Sequence, residues 1–319
     1  MNGTELYNGN FERLAKNRIN DNSDKQYLNG FYYYLLSDTS YSGAYGYLGR
    51  VIDFVNHFKI TDPTTVSLDQ YAEYLSRIKG KTSSYKIMVY SALKKFSKFL
   101  KAKGYADDYM QYISRPKFKE SQRTKDKREK GFLTEEEIGI LIKEVKNSNK
   151  VPQWKARDLA IIVTLLNSGI RCSALQKLDI EDVDIKSKTI TVIEKGDVAR
   201  KIYLSNTAIG YLNEWIEYRD KLVGNTDHAL FISDRKRRVD RKTIYNIIKS
   251  YGAVIDGKNI TPHKTRSTYG TQLYNKTHDV YFVQQCMGHS NPKTTELYIR
   301  GQKNASSKKA AELMSGFLD

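Results

Sequence analysis

Apolar residues recur every three or four positions through four early segments of the chain. YLNGFYYYLL (27–36), YGYLGRVIDFVNHF (45–58), TTVSLDQYAEYLSRI (64–78) and SSYKIMVYSALKKFSKFLKAKG (83–104) all carry this spacing. It places their apolar side chains on one face of a helix. The third segment begins with Thr and Ser, candidate N-caps whose side chains accept from unpaired backbone N–H groups. Gly104 follows the fourth, a position that suits a helix stop. Residues 21–113 are therefore expected to form an all-α bundle. Residues 1–20 are polar and unpatterned and read as a tail.

The pattern lapses over SRPKFKESQRTKDKREKG (114–131), which offers no core and reads as a linker. Beyond it, residues 132–319 mix two periods. FLTEEEIGILIKEVK opens with Thr134 and Glu137, the spacing of a capping box. ARDLAIIVTLLNSG (156–169) is apolar nearly all round, as a buried helix is, and stops at Gly169. KTITVIEKGDVARKIYL (188–204) is two alternating runs about a glycine turn, a β-hairpin signal. Helical spacing returns at 207–222, 241–251, 264–275, 279–287, 293–299 and 308–318. The expected fold is mainly α with a small β-sheet, an N-terminal all-α bundle followed by an α+β domain.

Charge narrows the function. The chain has 319 residues, 53 Lys plus Arg and 36 Asp plus Glu, for a net charge of +17. Such an excess suits a polyanionic partner, nucleic acid first, although charge kept for solubility is the plainer reading. The linker alone holds eight basic and three acidic residues, and Arg115, Lys117, Lys119, Arg123 and Lys125 are candidate backbone contacts. RKRRVDRK (235–242) adds Arg235, Lys236, Arg237, Arg238, Arg241 and Lys242 just before a helix start, which suits phosphate gripping as well as a solvated loop. The longest apolar run, 159–166, is far too short to span a membrane, and the opening residues carry no secretory signal pattern. Cys172 and Cys286 are the two cysteines and form no CxxC pair, so neither a disulfide framework nor a zinc site is expected. The expected location is the cytoplasm.

Singly, the chemistry-bearing residues are ambiguous. Arg171 could cap a carbonyl, Lys195 could be an exposed hairpin lysine, His263 and His289 could be structural, and Tyr298 is one of 24 tyrosines. Together they suit phosphoryl transfer without a metal. Two arginines and a lysine can hold a phosphodiester and neutralise its growing charge. A histidine can move a proton near neutral pH. A tyrosine hydroxyl can attack phosphorus.

SGIRCSAL (168–175), IEKGDVARKIYL (193–204), HKTRSTYGTQLY (263–274) and MGHSNPKTTELYIR (287–300) resemble, in order and internal spacing, the motifs of the tyrosine recombinase, or phage integrase, family. The resemblance extends over about 21–300. It implies a core-binding, SAM-like helical domain at 21–113, an interdomain strap at 114–131 and a catalytic domain at 132–319. It also implies roles. Arg171 and Arg266 would hold the scissile phosphate, with His289 against it. Lys195 would protonate the 5′ oxygen, His263 would assist deprotonation, and Tyr298 would form a 3′-phosphotyrosyl bond. No cofactor and no metal is implied. The carboxylate that many members carry three residues after the first arginine is replaced by Ala174. Segment 308–318 resembles the helix that docks on a neighbouring subunit, so the implied assembly is a homotetramer on duplex core sites with inverted repeats. An accessory directionality factor is a further partner that the resemblance allows. With 20 residues before the bundle, the plan resembles Xer-like and simple two-domain integrases. Its wording resembles integrases of low-GC Gram-positive phages and mobile elements, which implies integration or excision. The alternatives are an Xer-type dimer resolvase, a type IB topoisomerase-like enzyme and a non-catalytic DNA-binding regulator.

Overall fold

The computed structural model describes residues 3–118, 131–193, 199–224 and 227–288. The chain divides into two compact units, residues 1–121 and 122–319. In the first unit five helices follow one another: α1 (Gly3–Asn20), α2 (Tyr27–Leu36), α3 (Tyr41–His57), α4 (Leu68–Arg77) and α5 (Ser83–Ala102). Ser40 and Thr82 cap α3 and α5, and Ser67 forms a reciprocal capping box with Gln70 at the start of α4. The apolar faces meet in an aromatic core. Phe54 stacks on Tyr71 at 5.0 Å between ring centroids, and Phe31 meets Phe96 edge-on at 5.2 Å. Two buried phenols reach main-chain partners: Tyr27 donates to the Ile60 carbonyl and Tyr90 to that of Ile113.

Helix α1 corrects the reading of residues 1–20 as a tail. Its surface is polar, so no apolar stripe announces it. Packing on α3 holds it instead: Ala15 is fully buried, Phe11 packs on Tyr45, and the Arg18 guanidinium lies 4.3 Å from the centre of the same ring. Tertiary contact thus supplies what the local pattern lacks.

The second unit begins with α6 (Glu135–Asn147), opened by the Thr134–Glu137 capping box. Helix α7 (Pro152–Ser168) runs through the core, with every residue from Ala156 to Leu165 buried. It stops at Gly169, whose left-handed φ of 61° suits glycine. A short α8 (Cys172–Lys177) follows, then an antiparallel sheet of β1 (Val183–Asp184), β2 (Thr189–Ile193) and β3 (Ala199–Tyr203) in that order. Ile190 pairs with Ile202, and both turn into the core. Helices α9 (Asn206–Val223), α10 (Arg241–Tyr251), α11 (Pro262–Thr277) and α12 (Val280–Met287) complete the described part. Segments 293–299 and 308–318, expected as helices, lie outside the described residues.

Charge is buried in this unit in specific places. Asp158 is fully buried. It accepts from Lys150 at 2.7 Å, from Arg157 at 2.8 and 3.0 Å and from the Tyr251 hydroxyl at 3.0 Å. A carboxylate so far from water is tolerable because these donors cover its oxygens. Arg219, 1% exposed, donates to the carbonyls of Ala229, Asp227 and Gly224 and so fastens the chain that follows α9.

Candidate active site

Arg171 is delivered by the stop of α7. The left-handed Gly169 turns the chain, and Arg171 takes the extended N-cap position of α8 with its side chain exposed. That turn leaves no room for a larger residue, because a Cβ on Gly169 would collide with the ring of Tyr269.

His263 and Arg266 lie one turn apart on α11, as the HxxR spacing predicts. Pro262 and the N-cap Thr261 begin that helix, putting His263 in its first turn. His263 is held below the ordinary histidine value by partial burial and then by the positive charges of Lys264 and Arg266. It is therefore neutral near pH 7 and able to accept a proton. Arg266 is almost wholly buried, 5% exposed. It donates one guanidinium nitrogen to the Gly169 carbonyl and another to the Met287 carbonyl, the latter at 2.7 Å. Helix α12 stops one residue later at the left-handed Gly288. Arg266 therefore fastens together the turn before Arg171 and the turn before His289.

Lys195 falls between β2 and β3, whose register from Thr189–Tyr203 to Ile193–Ala199 is that of the expected hairpin. Lys195, His289 and Tyr298 themselves lie outside the described residues, as do Lys119, Arg123 and Lys125. Arg171, His263 and Arg266 are thus the described members of the six-residue set. Of the other tyrosines near the motifs, Tyr274 is buried and Tyr281 exposed. Tyr269 is pushed up to about 12, chiefly by burial.

The basic positions separate into two kinds. Arg115 and Lys117 are exposed in the first unit, and Arg235, Lys236, Arg237, Arg241 and Lys242 are exposed in the second. Arg238 behaves differently from its neighbours. Its guanidinium donates to the carbonyls of Gln176 and Leu178 and pairs with Asp179, which secures the end of α8. Asp240 caps α10, and the charge of Arg241 reaches Cys172, the residue after Arg171. Burial pushes that Cys172 thiol up to about 11, against the opposing pull of Arg241.

Sequence reasoning missed two residues. Arg200 of β3 donates to the Cys286 carbonyl in the last turn of α12, and Tyr269 packs on Gly169. The available signal for Arg200 was its place in the strand: it shares a face with Ile202, where alternation favours an apolar side chain.

Residues 131–305 match the model of the phage integrase family. Among similar proteins, the tyrosine recombinase XerC of Caldanaerobacter subterraneus subsp. tengcongensis is 31% identical over 252 residues, 77% of this chain and 66% of that protein. The tyrosine recombinase XerD of Proteus mirabilis is 30% identical over 241 residues, 74% of each chain. XerS of Streptococcus thermophilus is 34% identical over 217 residues, 61% of this chain and 60% of that one. Among solved structures, the XerH site-specific recombinase bound to its palindromic difH substrate aligns with a TM-score of 0.68 at 20% identity, covering 86% of this chain and 80% of that one. A lambda integrase dimer bound to a core site aligns with a TM-score of 0.64 at 17% identity, covering 86% and 94%. Among the described residues no helix is long and apolar enough to cross a membrane. The chain belongs to the phage integrase family, and its fold is that of the tyrosine recombinases.

Proposed function

We propose that this chain is a site-specific DNA recombinase of the cytoplasm. It cleaves and rejoins strands of duplex core sites with inverted repeats through a 3′-phosphotyrosyl intermediate on Tyr298. The observation that carries this reading is the double attachment of Arg266. One guanidinium holds the carbonyl two residues before Arg171 and the carbonyl two residues before His289, and His263 lies one turn away on the same helix.

In the reaction, Arg171 and Arg266 neutralise the non-bridging oxygens of the phosphate as charge develops, with His289 against them. Neutral His263 accepts the proton of the Tyr298 phenol, whose oxygen bonds to phosphorus. The bond from phosphorus to the 5′ oxygen breaks, and Lys195 gives that oxygen a proton. Because the ester retains the bond energy, the 5′ hydroxyl of a partner strand can reverse the steps without ATP. Segment 308–318 docks on a neighbouring copy and closes a ring of four. The outcome is integration or excision of a mobile element, in which an accessory directionality factor would set the direction. Xer-type dimer resolution is the second reading, favoured by the likeness to XerC, XerD and XerS.

The test uses nicked duplexes cut from the DNA on either side of the gene, with denaturing electrophoresis to detect protein joined to DNA. The unaltered chain is expected to form an adduct. Tyr298→Phe is expected to bind the same duplex and form none. An adduct of normal yield in that variant would overturn the assignment.

A further inference from the structure

The hairpin that carries Lys195 is anchored by Arg200, a residue of the 193–204 motif that has no role in the six-residue set. Arg200 is the second residue of β3 and pairs across the ladder with Val192. It lies on the same strand face as the buried Ile202, so its charge needs partners. Its Nη1 donates to the Cys286 carbonyl at 2.8 Å. That carbonyl is one of the four that a helix leaves without an intrahelical partner at its C-terminus, where the helix dipole favours a cation. The next carbonyl, that of Met287, is taken by Arg266. Two arginines from two different elements therefore cap α12 just before Gly288 and His289. Tyr269 lies beside this arrangement, with its ring against Gly169 and its hydroxyl near enough to the Cys286 thiol for the two groups to influence each other.

We propose that Arg200 is a positioning residue for proton delivery: by tying β3 to the last turn of α12, it holds in place the strand that follows Lys195 in the hairpin. The proposal rests on the recombinase reading above and extends it. Arg200 acts through Lys195 and touches no reacting atom. Cleavage still forms the Tyr298–phosphorus bond and breaks the bond to the 5′ oxygen. What Arg200 governs is the proton that this oxygen receives.

The test compares two duplexes of one sequence, one with the ordinary 5′-bridging oxygen and one with sulfur in its place. A thiol has a pKa of about 8.5, so a thiolate departs without needing a proton. Arg200→Ala is expected to slow adduct formation on the oxygen duplex about a hundredfold, the loss that a misplacement of about 1 Å brings. On the sulfur duplex it is expected to react within a few-fold of the unaltered chain. Arg200→Lys retains a cation and a donor and should recover part of the oxygen rate. Arg200→Met retains the stem's packing and should repeat the alanine result, which covers the case in which alanine lowers Tm. Equal losses on both duplexes, or an unchanged oxygen rate, would overturn the proposal. If the unaltered chain forms no adduct on either duplex, the recombinase reading falls, and this proposal falls with it.

Discussion

The two units are held together by different means. The first has a core of stacked and edge-on rings from α2 to α5, and its largest fully buried side chains include Tyr32, Tyr71, Phe31, Phe54, Phe96 and Phe99. The second has a mainly aliphatic core around Trp215 and Phe231, into which Arg157, Asp158, Arg219 and Arg266 are buried. Rings stabilise by area and tolerate approximate placement, whereas a buried charge must meet its donors or acceptors closely. The carbonyls that Arg266 holds, of Gly169 and Met287, lie within the 168–175 and 287–300 motifs. Burying charge there fixes the backbone where the proposed chemistry needs it fixed.

The largest effect expected is that of Arg266→Ala. It removes a cation proposed to face the phosphate and orphans two carbonyls, and adduct formation should fall by about 10²–10³-fold. Single-turnover cleavage at saturating protein measures this. Phe54→Ala sharpens the contrast. A cavity in the aromatic core should cost about 3–5 kcal/mol by urea unfolding, with an unchanged adduct rate for the molecules that remain folded. Asp158→Ala should cost a similar 3–5 kcal/mol or so, because it strands Arg157 and Lys150 without their anion.

Smaller effects separate the basic residues. Replacing Arg235, Lys236 and Arg237 together by alanine should flatten the salt dependence of DNA binding, by about 0.9 in log–log slope for each phosphate that is no longer neutralised. Arg238→Ala should leave that slope alone and lower stability by about 1–3 kcal/mol, since its carbonyl partners in α8 are left unpaired. Binding titrations at several salt concentrations distinguish them.

The smallest effect is on pH dependence. His263 is held below its ordinary 6.5, so the folded chain binds this proton more weakly than the unfolded one. Its contribution to stability is intact above about 6.5 and is lost as pH falls through the lower folded value. The adduct rate should likewise decline on an acid limb below 6.5, and that limb should vanish in His263→Ala.

Much of this was legible in the sequence because local rules decided it. The capping box at Thr134, the stop at Gly169 and the hairpin around Lys195 follow from spacing and turn chemistry, and α7 follows from its continuous apolar run. The candidate set of six could be picked out because its order and spacing resemble a family. Helix α1 was not, because its apolar contacts are few and lie on α3, a partner that no local pattern shows. The role of Arg238 was hidden for a related reason. Six basic residues in eight look alike along a sequence, and only the turn at 232–238 sends one of them back toward α8.

At the heart of the proposed reaction, one tyrosine, Tyr298, becomes joined to DNA at the phosphate that these arginines surround. The decisive experiment traps the adduct on a nicked duplex, digests the protein and locates the modified peptide by tandem mass spectrometry. A nucleotide joined through its 3′ phosphate to Tyr298 is the expected product. Attachment at Tyr269, Tyr274 or Tyr281 would contradict the proposed chemistry.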